Sequence, residues 1–467
     1  MKKYIVYIPL VGMLLGVFAS CTNESLEIKP DDWIEENALI DSTYKAQEYL
    51  NASYQALGNG GFLGGLAQLT SELMADFTYE AELSGDRLAV NNHTTDIFLD
   101  HTRELIYRGY VVVARANKLI DNIGSVADMD DATRTRMVAE AKFLRAIGHF
   151  EEVRFFAQPY GYTADNSHLG LPIRTTFSIA AQDRATVGEV YTQVINDLKD
   201  AINGLPTSNG NYANTWAAKG YLAKVYFQMN DFANAYSYAD DVITNGGYML
   251  GDSAKLRFSP TGAPENVFQL VSTPNFVDPG AALAGYYFIN PSTLSADVKV
   301  SQNFYNEVGL SVDDTRNFYE KKGEAYLFKK FVATNAENMN VPLVHLTELK
   351  LIRAESGAEL NDPAKILVAR QDLSDIRLRA KLTPFADAAP QAAIIIEART
   401  QRTIEMAGEG NRVHELKRRA ILEKNRTGSS GLLINGSPWD CNGLILQIPD
   451  AELQANPGMQ ANPTGGC

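Results

Sequence analysis

Tryptophan and cysteine are scarce in this 467-residue chain, with three of each, and there are only six histidines. The scarcity is informative. None of the histidines, at 93, 101, 149, 168, 345 and 414, falls into His-Glu-x-x-His or another metal-ligand spacing, so the sequence offers no metal centre and calls for no cofactor. No Gly-x-Ser-x-Gly elbow and no phosphate-cradling glycine loop is present. Basic residues are also in deficit: 42 Lys and Arg against 56 Asp and Glu leave a net charge of −14 and exclude a phosphate backbone as partner. Asp128-Met129-Asp130-Asp131 lacks the glycine and distal glutamate of a calcium loop and reads as a helix cap. Carboxylates are abundant, but a glycosidase needs two of them facing across a cleft. Counting carboxylates neither marks such a pair nor excludes it.

The N-terminus carries a leader pattern. Lys2 and Lys3 precede an apolar run from Tyr4 to Phe18, broken by Pro9 and shorter than the ~20 residues of a spanning helix. It ends in Phe18-Ala19-Ser20-Cys21, small residues before a cysteine, as at a lipoprotein cleavage site. The expected division is a signal segment over 1–20 and a mature domain over 21–467 that begins with acylated Cys21. An acidic protein gains nothing from anionic headgroups, so its membrane attachment would be this lipid. The remaining cysteines, Cys441 and Cys467, could form a disulfide worth about 3 kcal/mol in an exported protein, or remain thiols.

Helical periodicity dominates the rest. Apolar residues recur every three to four positions near 38–57, 99–123, 131–157, 186–205, 213–229, 232–244, 344–360, 363–381 and 390–419. From 251 to about 341 five prolines interrupt the pattern among Tyr and Phe, predicting a loop-rich insertion. After Gly428 the Gly/Pro/Asn-rich tail is expected to run extended over the body. Leu222, Ala223, Tyr226, Asp231, Phe232, Ala235 and Ala239 sit at offsets resembling a tetratricopeptide repeat. Small residues let two helices approach, and Asn230-Asp231 makes the turn. Leu349, Leu351, Ala354, Glu355, Asp362, Ala364 and Ala369 repeat the pattern, and Phe143, Ala146, His149, Phe150 and Phe155 echo it. The fold class is therefore mainly α, a tetratricopeptide-like helical scaffold with an irregular insertion.

Several segments, in order, resemble the SusD/RagB family of outer-membrane nutrient-binding lipoproteins. They are Arg115-Ala116-Asn117-Lys118-Leu119-Ile120, Glu140 to Ala146, Gly170-Leu171-Pro172-Ile173 and Thr186 to Tyr191 with Asp197-Leu198. In the second half they are Leu346 to Glu355, Ile376 to Ala380, Arg402 to Met406, Gly408 to Arg412 and Ile448-Pro449 with Asn456-Pro457. Their order spans almost the whole chain. Arg402 and Arg412 are expected to pair with Glu405 and Glu409 across helix turns. The resemblance implies a surface cap on a TonB-dependent transporter of the SusC type, anchored in the outer membrane through lipid, that delivers glycans or, alternatively, peptides. A surface hydrolase and a ligand-free assembly factor are the competing classes.

Binding residues should lie on variable loops, not on the repeats. Two stretches qualify. One is Asp76-Phe77-Thr78-Tyr79 through Asp86, Asn91 and Asn92. The other is Phe276 with Tyr286-Tyr287-Phe288. Aromatic faces can stack on sugar rings while Asp and Asn bond to hydroxyls. None of the three Trp lies in either stretch.

Overall fold

Caps set where the helical periodicity becomes helix. Helix α1 (Thr43–Leu57) begins where Ser42 accepts the Lys45 N–H and ends at Gly58. Two short helices, α2 (Leu66–Leu73) and α3 (Gly85–Asn91), precede two long ones, α4 (Asp100–Asn122) and α5 (Asp131–Phe156). Asp130 caps α5 by accepting the Thr133 N–H at 2.8 Å, the role read from the sequence. Thr186 and Glu189 close a reciprocal capping box on α6 (Val187–Gly204). This structure, a computed structural model, describes residues 40–273, 279–308, 313–331 and 339–467. The leader, Cys21 and Phe276 lie outside the described residues.

Helices α7 (Thr215–Gln228) and α8 (Phe232–Asn245) form the hairpin expected of a tetratricopeptide unit. Asn230 takes a left-handed φ of 60° and Asp231 caps α8, so one dipeptide both stops the first helix and starts the second. Ala223, Ala235 and Ala239 are fully buried at the crossing, and Tyr226 stacks on Tyr238.

The middle of the chain is built of short pieces. They are β1 (Asn266–Leu270), α9 (Ala281–Tyr287), α10 (Gln302–Val308), β2 (Tyr319–Lys322), β3 (Ala325–Phe328) and β4 (Val341–His345). Strands β1 and β4 pair antiparallel, as do β2 and β3. Helices α11 (Leu346–Glu359) and α12 (Pro363–Arg379) repeat the hairpin, again with a left-handed Asn, Asn361 at φ 54°, before a capping Asp, Asp362. Then come α13 (Gln391–Glu405), α14 (Arg412–Thr427), a β5–β6 hairpin (Leu433–Ile434 with Ser437–Pro438) and α15 (Asp450–Ala455).

Helix α4 packs on α5, α5 on α6, α6 on α7, α7 on α8, and α8 on α11, which carries α12 and α13. The insertion therefore leaves the stack after α8 and returns before α11, while those two helices touch each other directly. Nested hairpins of this kind bury a continuous core. Ala354, Ala358, Ala369, Leu373, Ile376 and Ile394 form one part of it. The tail is tied across the body, with the Leu446 N–H donating to the Phe155 carbonyl and the Asp450 N–H to that of Ile97. Cys441 and Cys467 are joined in a disulfide with Cα atoms 5.4 Å apart, closing the alternative that the sequence left open.

Three expectations are corrected. Val344 and His345 end strand β4 and do not begin a helix, because the Val341-to-Val344 run pairs with β1 and His345 serves as the cap of α11. The helix expected over 390–419 is two helices, separated where Gly408 and Gly410 take φ of 75° and 78°. That break separates Arg412 from the helical turns of Glu405 and Glu409, and although Arg402 shares a helix with Glu405 the two do not pair. Arg402 instead pairs with Glu348 and Glu415, and Arg412 with Asp76 and Glu307.

Glu405 and Glu409 are instead the centre of a buried charge cluster. Arg257, Arg316 and Arg379 reach Glu405 at 3.1, 3.0 and 2.8 Å. Arg257 also meets Glu409 at 3.1 Å, and Lys330 bonds to Glu409. Glu265 pairs with Arg379 at 3.1 Å, and Asp314 pairs with Arg316. Four cations thus face four carboxylates. Arg257, Glu265, Asp314, Arg316 and Lys330 come from the insertion, and the rest from the scaffold. The cluster is the bolt between the two. Burial pushes the Glu405 and Glu409 carboxyls up, but the surrounding cations outweigh it and hold both far below the usual carboxylate range.

Candidate functional site

The two loop stretches singled out in the sequence are brought together, although they lie far apart in the chain. Beneath them is an aromatic cluster. Phe77 meets Tyr287, Phe304 and Phe328 at ring-centroid distances of 6.2, 4.9 and 5.3 Å, all edge-on. Backbone bonds add to this. The Tyr79 N–H donates to the Lys299 carbonyl at 2.9 Å, and the Val298 N–H donates to that of Tyr286 at 2.9 Å. Segment 298–300 therefore lies between the first loop and the end of α9.

Above this floor, the Arg87 guanidinium lies over the Tyr286 ring at 5.2 Å, a cation–π contact. Asp297, 70% exposed, stands 3.9 Å from Arg87. Phe288 is 53% exposed, Tyr79 half-buried and Asn92 exposed. Lys299 and Glu82 pair at 2.6 Å on the same edge. The result is a partly open edge on which the Tyr286 ring, the Arg87 guanidinium and the Asp297 carboxylate meet.

Not every residue read from the sequence has access to it. Phe77, Asn91 and Tyr287 are buried and form its underside. Asn91 donates to the Leu73 carbonyl and to Thr78 Oγ1, both at 2.9 Å. Asp86 accepts the His101 N–H at 3.0 Å and so caps α4, which has no capping side chain of its own. Both carboxylate oxygens of Asp76 are taken by Arg412 at 2.7 Å, a bidentate pair. Burial raises the Asp76 carboxyl, but Arg412 outweighs it and keeps it ionised. Of the remaining described candidates, Tyr79 and Tyr286 are half-buried and Asn92 is exposed.

Sequence reasoning missed Arg87, Asp297 and Lys299. Arg87 follows Asp86 directly on α3, but its contact with Tyr286 depends on the folded path of the insertion.

Glu72, at the end of α2, lies under the site. Gly410 N–H donates to its Oε1 at 3.2 Å, and Oε2 has no partner. Burial pushes its carboxyl up to about 8. Between pH ~4.5 and ~8 the folded chain keeps a proton that the unfolded chain releases, so stability falls as pH rises through that window. Glu72→Gln is expected to leave the unfolding midpoint nearly unchanged at pH 4.5 and to stabilise by on the order of 4 kcal/mol at pH 8. Denaturation series of both proteins across pH 4.5–8 check this; parallel curves for the two would refute it.

Among the described residues no group of three or more His, Cys, Asp or Glu side chains is arranged to hold a metal, and no helix is long and apolar enough to cross a membrane.

Fold and face together define an α-helical repeat scaffold that displays an irregular aromatic and polar loop surface. A SusD-like family model described as "Starch-binding associating with outer membrane" matches residues 24–227, and the SusD family model matches 238–464. The chain belongs to the SusD/RagB family. A SusD-like protein of Bacteroides ovatus is 33% identical over 159 residues, a match spanning 30% of this chain and 27% of that relative. A SusD superfamily protein from Bacteroides thetaiotaomicron superposes with a TM-score of 0.79 at 23% identity, covering 91% of this chain and 100% of the other. A putative sugar-binding protein from Bacteroides vulgatus gives 0.77 at 22%, covering 91% and 99%. A laminarin-binding SusD-like protein gives 0.70 at 20%, covering 91% and 100%. At these identities the structures establish a shared fold.

Proposed function

We propose that the protein is a lipid-anchored lipoprotein on the outer face of the outer membrane. It binds neutral glycans on the Tyr79–Arg87–Tyr286–Phe288 face and passes them to a TonB-dependent transporter of the SusC type. Residues 1–20 are the leader, and Cys21 carries the lipid. The observation that carries the glycan reading is that two stretches distant in sequence meet at one partly exposed edge, where Arg87 lies over Tyr286 above a buried aromatic cluster. Rings that need not rearrange lose little entropy on stacking against a sugar. Arg87 and Asp297 supply a donor and an acceptor for hydroxyls. The laminarin-binding neighbour of the same fold is in keeping with this, and the Cys441–Cys467 disulfide suits an oxidising compartment. Catalysis is no part of the reading: the face holds fixed stacking groups, and Asp76 is locked to Arg412.

Titration calorimetry against laminarin, starch and mannan oligosaccharides and against short peptides tests the ligand class. At least one glycan should bind, and Tyr286→Ala should weaken it by about tenfold, the ~1.4 kcal/mol scale of one aromatic contact. Binding of peptides alone would transfer the role to the peptide-delivering alternative. Release of new reducing ends over time would reveal a hydrolase. Isolation from solubilised outer membranes should recover a β-barrel transporter with the protein.

A further inference from the structure

A separate pocket of about 230 Å³ opens between α1, the 211–213 segment, β1 and Pro279. No charged side chain lines it. Its walls are the rings of Tyr54 and Tyr212, 5.1 Å apart and tilted, with Leu270 and Pro279. Both tyrosines are anchored away from the space. The Tyr54 hydroxyl donates to Glu140 Oε2 at 2.6 Å and accepts the Ala213 N–H at 3.0 Å. The Tyr212 hydroxyl donates to Asn51 Oδ1 at 2.9 Å. The rings are thus fixed beside each other, and both line the space.

The polar groups are the reverse. Thr273 Oγ1 is buried with no hydrogen-bond partner, an orphan that costs free energy in the empty protein. Gln269 accepts from Asn266 Nδ2 at 2.6 Å through Oε1, which leaves its amide NH2 uncommitted. The Gln55 and Asn211 amides also line the pocket. Neutral donors and acceptors beside two fixed aromatic faces match a neutral ring that bears hydroxyls on an otherwise apolar body. An anion or a cation would find no counter-charge. The volume lies below the ~300–1,000 Å³ of drug-sized sites, so it holds one ring and not a chain.

We propose that this pocket is a second carbohydrate site, taking a single neutral sugar residue against the adjoining Tyr54 and Tyr212 rings with Thr273 and Gln269 bonding its hydroxyls. It does not rest on the loop-face reading, and the two are tested apart.

Saturation-transfer NMR and calorimetry on the intact protein with D-glucose, D-mannose and D-galactose provide the test. At least one should bind at millimolar concentration. Thr273→Val should weaken it about fivefold or more without lowering the melting temperature, because the lost hydroxyl has no partner in the free protein. Gln269→Met should also weaken it, whereas Tyr286→Ala should leave it unchanged. No transfer from any of the three sugars, or equal affinity in Thr273→Val, overturns the proposal. So does loss of monosaccharide binding in Tyr286→Ala with Thr273→Val unaffected. Monosaccharide binding that survives while no oligosaccharide binds the loop face would leave this site standing and remove the other.

Discussion

Glu405→Ala is expected to lower the unfolding free energy by about 3–5 kcal/mol, the scale for removing one partner from a buried ion cluster. Glu405 is fully buried, and its two carboxylate oxygens meet Arg257, Arg316 and Arg379. Without it, those cations stay in a site closed to water with too few negative partners. Glu405→Gln keeps the shape and loses the charge, so it should cost nearly as much. Replacing Glu405 and Arg257 together by Leu and Met should cost less than the two single changes summed, because each removes the other's unpaired charge. Acid should reproduce the effect. A carboxyl whose folded pKa is depressed stabilises the protein above its unfolded value near 4.5, and that contribution is lost as pH falls below it. Urea denaturation at pH 7 and pH 4 gives the numbers. A loss under ~1 kcal/mol for Glu405→Ala would mean the cluster is not the bolt described above. The same variant should weaken glycan binding, because five members of the cluster belong to the insertion that carries Tyr286 and Phe288.

The other large effect concerns attachment. Cys21→Ser is expected to move the protein out of the membrane fraction almost completely. Each buried acyl methylene contributes about 0.8 kcal/mol, so an anchor of two or more chains holds a protein that no surface charge would. The net charge of −14 repels anionic headgroups and offers no second means of attachment. Fractionation of cells expressing each form, with proteinase added to intact cells, measures both the anchoring and the side on which it faces. A Cys21→Ser chain that still sediments with outer membranes, or a wild-type mature chain that retains residues 1–20, would overturn the lipoprotein reading.

Much of the scaffold was legible because helices announce themselves locally. Asp130, Thr186 with Glu189, and the Asn-Asp turns at 230–231 and 361–362 act within a few residues of themselves, so the sequence shows them. The small residues at the hairpin crossings were legible for the same reason. Short elements were not: α2, α3, α9 and α10 are too brief to establish a period and are held by what they pack against.

Charge pairing was the plainest failure of local reasoning. Arg402 and Arg412 stand near Glu405 and Glu409 in sequence, yet each of the four groups takes its partners from elsewhere in the chain. The site divides along the same line. Residue type alone nominated both loops, since aromatics beside Asp and Asn suit sugars wherever they occur. Whether a given ring faces ligand or core depends on what covers it, which is why Phe77 and Tyr287 went inside while Tyr286 and Phe288 stayed out. Helix positions and the repeat were determined by the sequence itself, through caps and periodicity that act over a few residues, and the family resemblance by the order of motifs along the chain. The convergence of the loops, the neutral charge cluster beneath them and the Tyr54–Tyr212 pocket were decided only by tertiary structure, because each is made of groups that no short-range rule brings together.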